Sequence, residues 1–350
     1  MKRFSCPVCA TEIHFDNSHC LTCGTRLGYD SARELFEAVS KDPQAAQAQV
    51  CENRAMAGCN WLVDPAHTPY CTACAHNRTV PDFDLPENNP SWRKIEQAKR
   101  HLFYSILKWR LPHPTRVEDP KTGLAFDFLA DTVGKDGKAK QVMTGHADGL
   151  ITLNLAEGDD SVRAARKQAL GEPYRTLIGH MRHEVGHFYW ELLVRRGGRI
   201  DGFREIFGDE RADYGDALKA HYANGPVPDW QNSFISSYAA SHPWEDFAET
   251  WAHYIHIVDA SETAHAFGMS LRTLPGENIK VEINPYVGGS MDDLLEDWVP
   301  LTVALNCLNR SIGQPEMYPF VLSKPVNKKL AFIHDLIGKA QSMADARQVD

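Results

Sequence analysis

Eight cysteines within the first 74 residues restrict this chain more than any other feature of its sequence. Cys6-Pro7-Val8-Cys9 and Cys20-Leu21-Thr22-Cys23 are two CxxC pairs ten residues apart, and Gly24 follows the second. Each pair can sit on a tight turn whose backbone amides face the sulfurs, and two such turns complete a tetrahedral four-thiolate zinc site. Cys51, Cys59, Cys71 and Cys74 make a second quartet with a single CxxC pair. Its ligand count suits a second zinc, with His76 able to replace one thiolate. The segment is too short to bury much apolar surface, so metal binding would supply its folding free energy and both zincs read as structural. Cys307, in the apolar run 301–308, is left over and reads as a buried thiol.

This metal reading depends on the compartment. The N-terminus reaches Cys6 and Pro7 before any apolar run, so no signal-peptide core is expected. No stretch approaches the roughly 18 apolar residues of a membrane span. The expected location is therefore the cytoplasm, where thiols stay reduced and cysteine spacing speaks of metal rather than disulfides. Ribbons of this kind bind nucleic acids or proteins, and charge separates the two. The chain carries a formal charge of −9, and residues 1–80 hold seven Lys or Arg against eight Asp or Glu. Phosphate binding needs a basic excess, so a nucleic-acid partner is disfavoured and a protein partner for the ribbons stays open.

Residues 81–90 contain three prolines and little periodicity, which marks a linker between a ribbon module at 1–80 and a second domain at 91–350. Trp92, Ile95, Ala98, Leu102, Ile106 and Trp109 recur at helical spacing and predict a helix that ends before Pro112. Residues 149–155 are rich in β-formers and predict a strand. Were that strand an edge, a peptide could pair with it. The remainder predicts helices over about 160–170, from Pro173 to Gly197-Gly198, and over about 203–223, 243–262, 291–310 and 326–344, the last leading into a C-terminal tail. No internal repeat is found beyond the two cysteine quartets.

The second domain carries His183-Glu184-Val185-Gly186-His187, an HExxH pattern inside a helical stretch. Two imidazoles one turn apart on one face can both reach a single zinc, with Glu184 beside them as general base for a water. Zinc would polarise the scissile carbonyl while Glu184 takes the water proton and passes it to the leaving amine. Such a site needs a third protein ligand and an open position. In Pro243-Trp244-Glu245-Asp246-Phe247-Ala248-Glu249, a Pro-started helix places Glu245 to bind zinc and Glu249 one turn behind to orient an imidazole. Asp209, Glu210 and Asp213 are the rival third ligands. Tyr238, seven residues before Glu245, can aim its hydroxyl at the oxyanion of a tetrahedral intermediate. His180, His253 and His256 read as neighbouring or core residues, and His146 as a turn residue.

Tyr238, Glu245 and Glu249, with the HExxH run, resemble the arrangement of the anthrax lethal factor class of zinc peptidases, although the interval from His187 to Glu245 is longer here. That resemblance implies His183, His187 and Glu245 as ligands, Glu184 as base and Tyr238 as oxyanion donor. Over most of its length the chain also resembles a bacterial family of zinc-binding metallopeptidases with an N-terminal zinc-ribbon domain. The resemblance is carried by Cys59-Asn60-Trp61-Leu62-Val63, Tyr174-Arg175-Thr176-Leu177, Arg182-His183-Glu184, Phe207-Gly208-Asp209-Glu210-Arg211-Ala212-Asp213-Tyr214 and His242-Pro243-Trp244-Glu245-Asp246. The expected architecture is α+β: a zinc-ribbon module, then a mainly helical gluzincin-like domain with a small sheet and the site between sheet and HExxH helix. One catalytic and two structural Zn2+ are expected, with a peptide or protein as substrate. The alternative is a zinc-ribbon adaptor whose second domain keeps the metal without turnover.

Overall fold

The computed structural model describes residues 1–40, 49–85, 88–133, 139–140, 142–170, 176–272, 276, 278–281 and 284–349. Pro173, Tyr174 and Arg175, named above, lie outside them, as do Pro86 and Glu87 of the linker segment. The fold is mixed α+β and divides into two compact units, one of residues 2–107 and 113–171, the other of Met1, 108–112 and 172–350.

The first unit begins with β1 (Phe4–Ser5) and β2 (Glu12–Ile13), then β3 (Leu27–Asp30) and β4 (Leu35–Ala38), each an antiparallel pair. Its two CxxC turns are built alike. Cys6 N donates to Thr11 O at 2.8 Å and Ala10 N to Cys6 O at 3.0 Å, while Cys20 N donates to Thr25 O at 2.8 Å and Gly24 N to Cys20 O at 2.9 Å. Both turns close through a left-handed residue, Ala10 (φ 59°) and Gly24 (φ 71°), which explains the glycine after the second pair. After the short helix α1 (Arg54–Ala57) and β5 (Asn77–Thr79), the long helix α2 (Asn88–Lys108) buries Trp92, Ile95, Leu102, Phe103 and Ile106. Phe103 meets Phe126 at 6.2 Å and Trp92 meets Phe128 at 6.3 Å, laying α2 against the sheet.

That sheet has the order β5-β6-β10-β9, with β6 (Ala125–Leu129), β9 (Gly145–Ala147) and β10 (Leu150–Asn154). A two-stranded ribbon of β7 (Thr132–Val133) and β8 (Ala139–Lys140) lies between them in sequence, and α3 (Asp160–Leu170) ends the unit. The expected strand at 149–155 is β10, but it is not an edge. It pairs in parallel with β6 and antiparallel with β9, so both rows of its backbone groups are used and no peptide can add to it.

Among its described residues the second unit has helices and the small strand pair β11 (Ser270–Arg272) and β12 (Asn278–Lys280). The helix α4 (Leu177–Tyr189) starts at Thr176, whose hydroxyl accepts from Gly179 N at 3.0 Å, and continues as a wider π-helical turn over Trp190–Arg195. The single helix expected over 203–223 is in fact two. Gly208, at φ 102°, closes α5 (Ile200–Phe207), and Asp213 caps a new helix, α6 (Tyr214–Asn224), by accepting from Asp216 N at 2.8 Å. His242 and Pro243 start α7 (Pro243–Ala266), and a Ser290/Asp293 capping box starts α8 (Met291–Ser311), which is followed by α9 (Lys324–Val349). Cys307 is exposed instead of buried, because α8 turns Leu294, Trp298, Leu301 and Asn306 inward and leaves position 307 on its outer face. No helix among the described residues is long and apolar enough to cross a membrane.

The pairing that matters most is α4 on α7. Tyr189 stacks on Trp251 at 4.8 Å, and a Cβ added at Gly186 would lie 3.0 Å from Ala248 Cα and 3.2 Å from Trp251 Cβ. The missing side chain in the middle of HExxH is what lets the two helices come this close. Overpacking of such a contact costs about 1–3 kcal/mol. Gly186→Val should therefore lower the thermal midpoint by several degrees, and an unchanged melt would show that the contact is not tight.

Candidate metal centre

His183 and His187 lie on one face of α4, 4.9 Å apart between ring centroids. Glu245, in the first turn of α7, brings its Oε2 to 3.0 Å from His183 Nε2 and 3.5 Å from His187 Nε2. All three are buried, at 7, 4 and 1% exposure, and form a group able to hold a metal ion. The distances suit a shared metal. A tetrahedral zinc with bonds of about 2.0–2.1 Å holds its nitrogen and oxygen ligands about 3.3 Å from one another. The donor set of two imidazoles and a carboxylate fits zinc in kind as well as in spacing.

The start of α7 is fixed by His242. Its Nδ1 accepts from Trp244 N at 3.1 Å while its Nε2 donates to Ala212 O at 3.1 Å, so one ring caps the helix and clips the 209–213 loop. Glu249, one turn beyond Glu245, lies 2.6 Å from His183 Nδ1, and Ser236 Oγ donates to its other oxygen at 2.6 Å. This is the orienting contact that fixes which ring nitrogen of His183 points inward. Asp209, Glu210 and Asp213 are turned to other work. Asp209 pairs with Arg211 at 2.7 Å, Glu210 with Arg204 at 2.5 Å, and Asp213 caps α6.

Glu184 is buried at 6% exposure, with His180 Nε2 3.3 Å from its Oε1. Burial works to raise its pKa, but the His180 contact and the charges of His183 and His187 outweigh it and hold the carboxyl below its ordinary value. Tyr238 lies with its ring 6.0 Å from that of His183. Burial, reinforced by the Glu245 charge, pushes its phenol far above the ordinary range, so it stays a donor. His180 stands where its helical spacing from Glu184 puts it, whereas two neighbours are brought in by the fold: Ser236, and Tyr214, whose hydroxyl donates to Glu245 Oε1 at 2.6 Å. His253 and His256 are occupied elsewhere, the first with Tyr318 at 2.9 Å and the second accepting from Arg182 at 2.6 Å.

Both cysteine quartets close up in the first unit. Cys6 and Cys23 sulfurs are 3.7 Å apart, Cys9 and Cys20 3.6 Å, Cys59 and Cys71 3.7 Å, Cys59 and Cys74 3.9 Å. Zinc–sulfur bonds of about 2.3 Å put tetrahedral sulfurs about 3.8 Å apart. Disulfides would bring them to about 2.05 Å. His76 is not part of the second quartet; its Nδ1 meets Leu124 O at 2.8 Å.

Comparison with known proteins adds the following. A family model described as "Putative zinc-binding metallo-peptidase" matches residues 88–336, and one described as a zinc-ribbon domain matches residues 3–85. Uncharacterized proteins of Mycobacterium bovis and Mycobacterium tuberculosis are 39% identical over 340 residues, covering 96% of this chain and 95% of theirs. No solved structure matches.

The pairing of imidazole with carboxylate has a measurable consequence. Burial works to lower the His183 pKa, yet Glu245 and Glu249 together raise it well above the usual imidazole value, so in the metal-free protein this ring holds a proton at neutral pH. An imidazole binds zinc only in its neutral form, so binding has to expel that proton. Titration calorimetry of the metal-free second unit's site in buffers of different ionisation enthalpy should find about one proton released at pH 7 and affinity rising with pH until the His183 pKa is passed. Zinc binding without proton release would contradict the assignment.

Proposed function

We propose that this chain, which belongs to the family of zinc-binding metallo-peptidases, hydrolyses peptide bonds at a zinc held by His183, His187 and Glu245, with Glu184 as general base. The observation that carries this reading is the convergence of His183 Nε2 and His187 Nε2 on one oxygen of Glu245, with Glu184 buried on the same helix. Bound zinc would supply the acidification of a water and the polarisation of the substrate carbonyl.

The chain's own residues supply the rest. Glu184, kept ionised beside His180, accepts the proton of the water and returns it to the leaving amine. Tyr238, kept protonated, offers its hydroxyl to the oxygen on which negative charge develops. Glu249 and Ser236 hold the His183 ring in register. In this reading residues 91–350 carry the chemistry, residues 1–80 carry two structural zincs, and the substrate is a peptide or protein.

Glu184→Gln keeps the size and hydrogen-bonding edge of the side chain but removes its basicity. The variant should retain zinc at the wild-type stoichiometry and lose roughly 10²–10⁴-fold in turnover of a broad peptide library. Cleavage by the variant at the wild-type rate would refute the assigned base. A wild-type protein that holds this zinc and cleaves nothing would instead favour the adaptor reading.

A further inference from the structure

A carboxylate ligand has two oxygens, and a zinc site that must admit water and substrate has more room for them when only one of the two meets the metal. In Glu245 the two are already distinguished. Oε2 faces the imidazoles of His183 and His187, while Oε1 accepts from the Tyr214 hydroxyl at 2.6 Å. We propose that Tyr214 is a positioning residue for the metal: by occupying Oε1 it makes Glu245 a one-oxygen ligand and keeps a coordination position open. The inference rests on the reading of His183, His187 and Glu245 as zinc ligands.

Ordinary packing does not explain where Tyr214 stands. It is the first residue of α6, a helix none of whose side chains is buried, and is itself 38% exposed. Apolar burial therefore contributes little to placing that helix. Polar and aromatic contacts at its start do so instead. The Tyr214 ring meets Trp244 edge-on at 5.6 Å and His242 at 5.4 Å, the residues on either side of Pro243 at the start of α7. His242 also holds the Ala212 carbonyl, two residues before Tyr214, at 3.1 Å. The same ring that caps α7, and so aims Glu245, fixes the backbone that presents the Tyr214 hydroxyl to it. Glu245 itself is 1% exposed, which leaves little room for water to replace that donor. A hydroxyl–carboxylate bond of this length is of the stronger, charge-assisted kind.

The test compares Tyr214→Phe with wild type, using the full chain with its cysteine sites loaded. Phenylalanine keeps the ring and its contacts with Trp244 and His242 and removes only the hydroxyl. Tyr222→Phe, an exposed tyrosine on the same helix, is the control. Competition with a chromophoric chelator should show zinc held about 10- to 100-fold more weakly at the histidine site of Tyr214→Phe and unchanged in Tyr222→Phe. Exchange of that zinc for Co2+ should give a visible spectrum shifted from four-coordinate towards five-coordinate form, as the freed oxygen joins the metal. Wild-type affinity and spectrum in Tyr214→Phe would overturn the proposal, and so would a lowered thermal midpoint with metal binding unaltered. Zinc content in a His183→Ala/His187→Ala variant equal to that of wild type would defeat the ligand reading itself, an outcome the Tyr214 comparison cannot mimic.

Discussion

The close contact of α4 and α7 is the constraint on which the rest of the site depends. Two imidazoles on one helix define a direction but not a metal site, because nothing on α4 can supply the third donor at the right angle. Gly186 removes the side chain that would hold Ala248 and Trp251 away. The first turn of α7 then delivers Glu245 to the inner nitrogens of both histidines, and its second turn delivers Glu249 to the outer nitrogen of His183. The helical repeat does the remaining work, since residues four apart on each helix face the same partner.

Around this contact the unit is braced from its far side. Phe247, on the opposite face of α7 from Glu245 and Glu249, meets Phe203 and Phe207 of α5 at 6.0 and 5.7 Å, and Phe207 meets Phe332 of α9 at 5.7 Å. Asp246, next to Glu245, is buried and paired with Lys329 of α9 at 2.6 Å, and the same ammonium donates to Ser233 O at 2.6 Å. Burial raises the Asp246 carboxyl to about 7 despite that ammonium. One lysine from the last helix thus steadies both the turn that carries Glu245 and the loop that carries Ser236.

What the sequence makes legible here follows from periodicity. HExxH and Glu-x-x-x-Glu each place two groups one helical turn apart, and CxxC places two sulfurs on one turn, so candidate ligands can be named without knowing the tertiary fold. The start of α7 is equally legible, because Pro243 suits a first turn. The break between α5 and α6 is harder to read. Helix formers lie on both sides of it, and Gly208 and the cap at Asp213 mark the interruption. Sheet order is not encoded in the local pattern of residues 149–155, so the internal position of β10 had no local cue. Tyr214 and Ser236 are reached through tertiary contacts, and a lone tyrosine or serine carries no spacing to betray it, whereas His180 lies one turn before Glu184 on α4 and its place follows from helical spacing.

Electrostatics gives an independent reason why these clusters suit cations. Glu184 and Glu245 are buried and Glu249 is largely so, three carboxylates around two imidazoles in a low-dielectric setting. Isolated buried charges of one sign are costly, and burial alone would drive such groups to take up protons. Glu249 is instead held near 2 and Glu245 well below its ordinary value, with burial opposed by the imidazoles they touch. A proton on His183 is one counter-charge available to the metal-free protein, whereas a divalent ion brings two and meets all three donors at once. The cysteine quartets follow the same logic with softer donors: sulfurs spaced at 3.6–3.9 Å are too distant to be bonded and would repel as thiolates, a repulsion that a cation at their centre would offset.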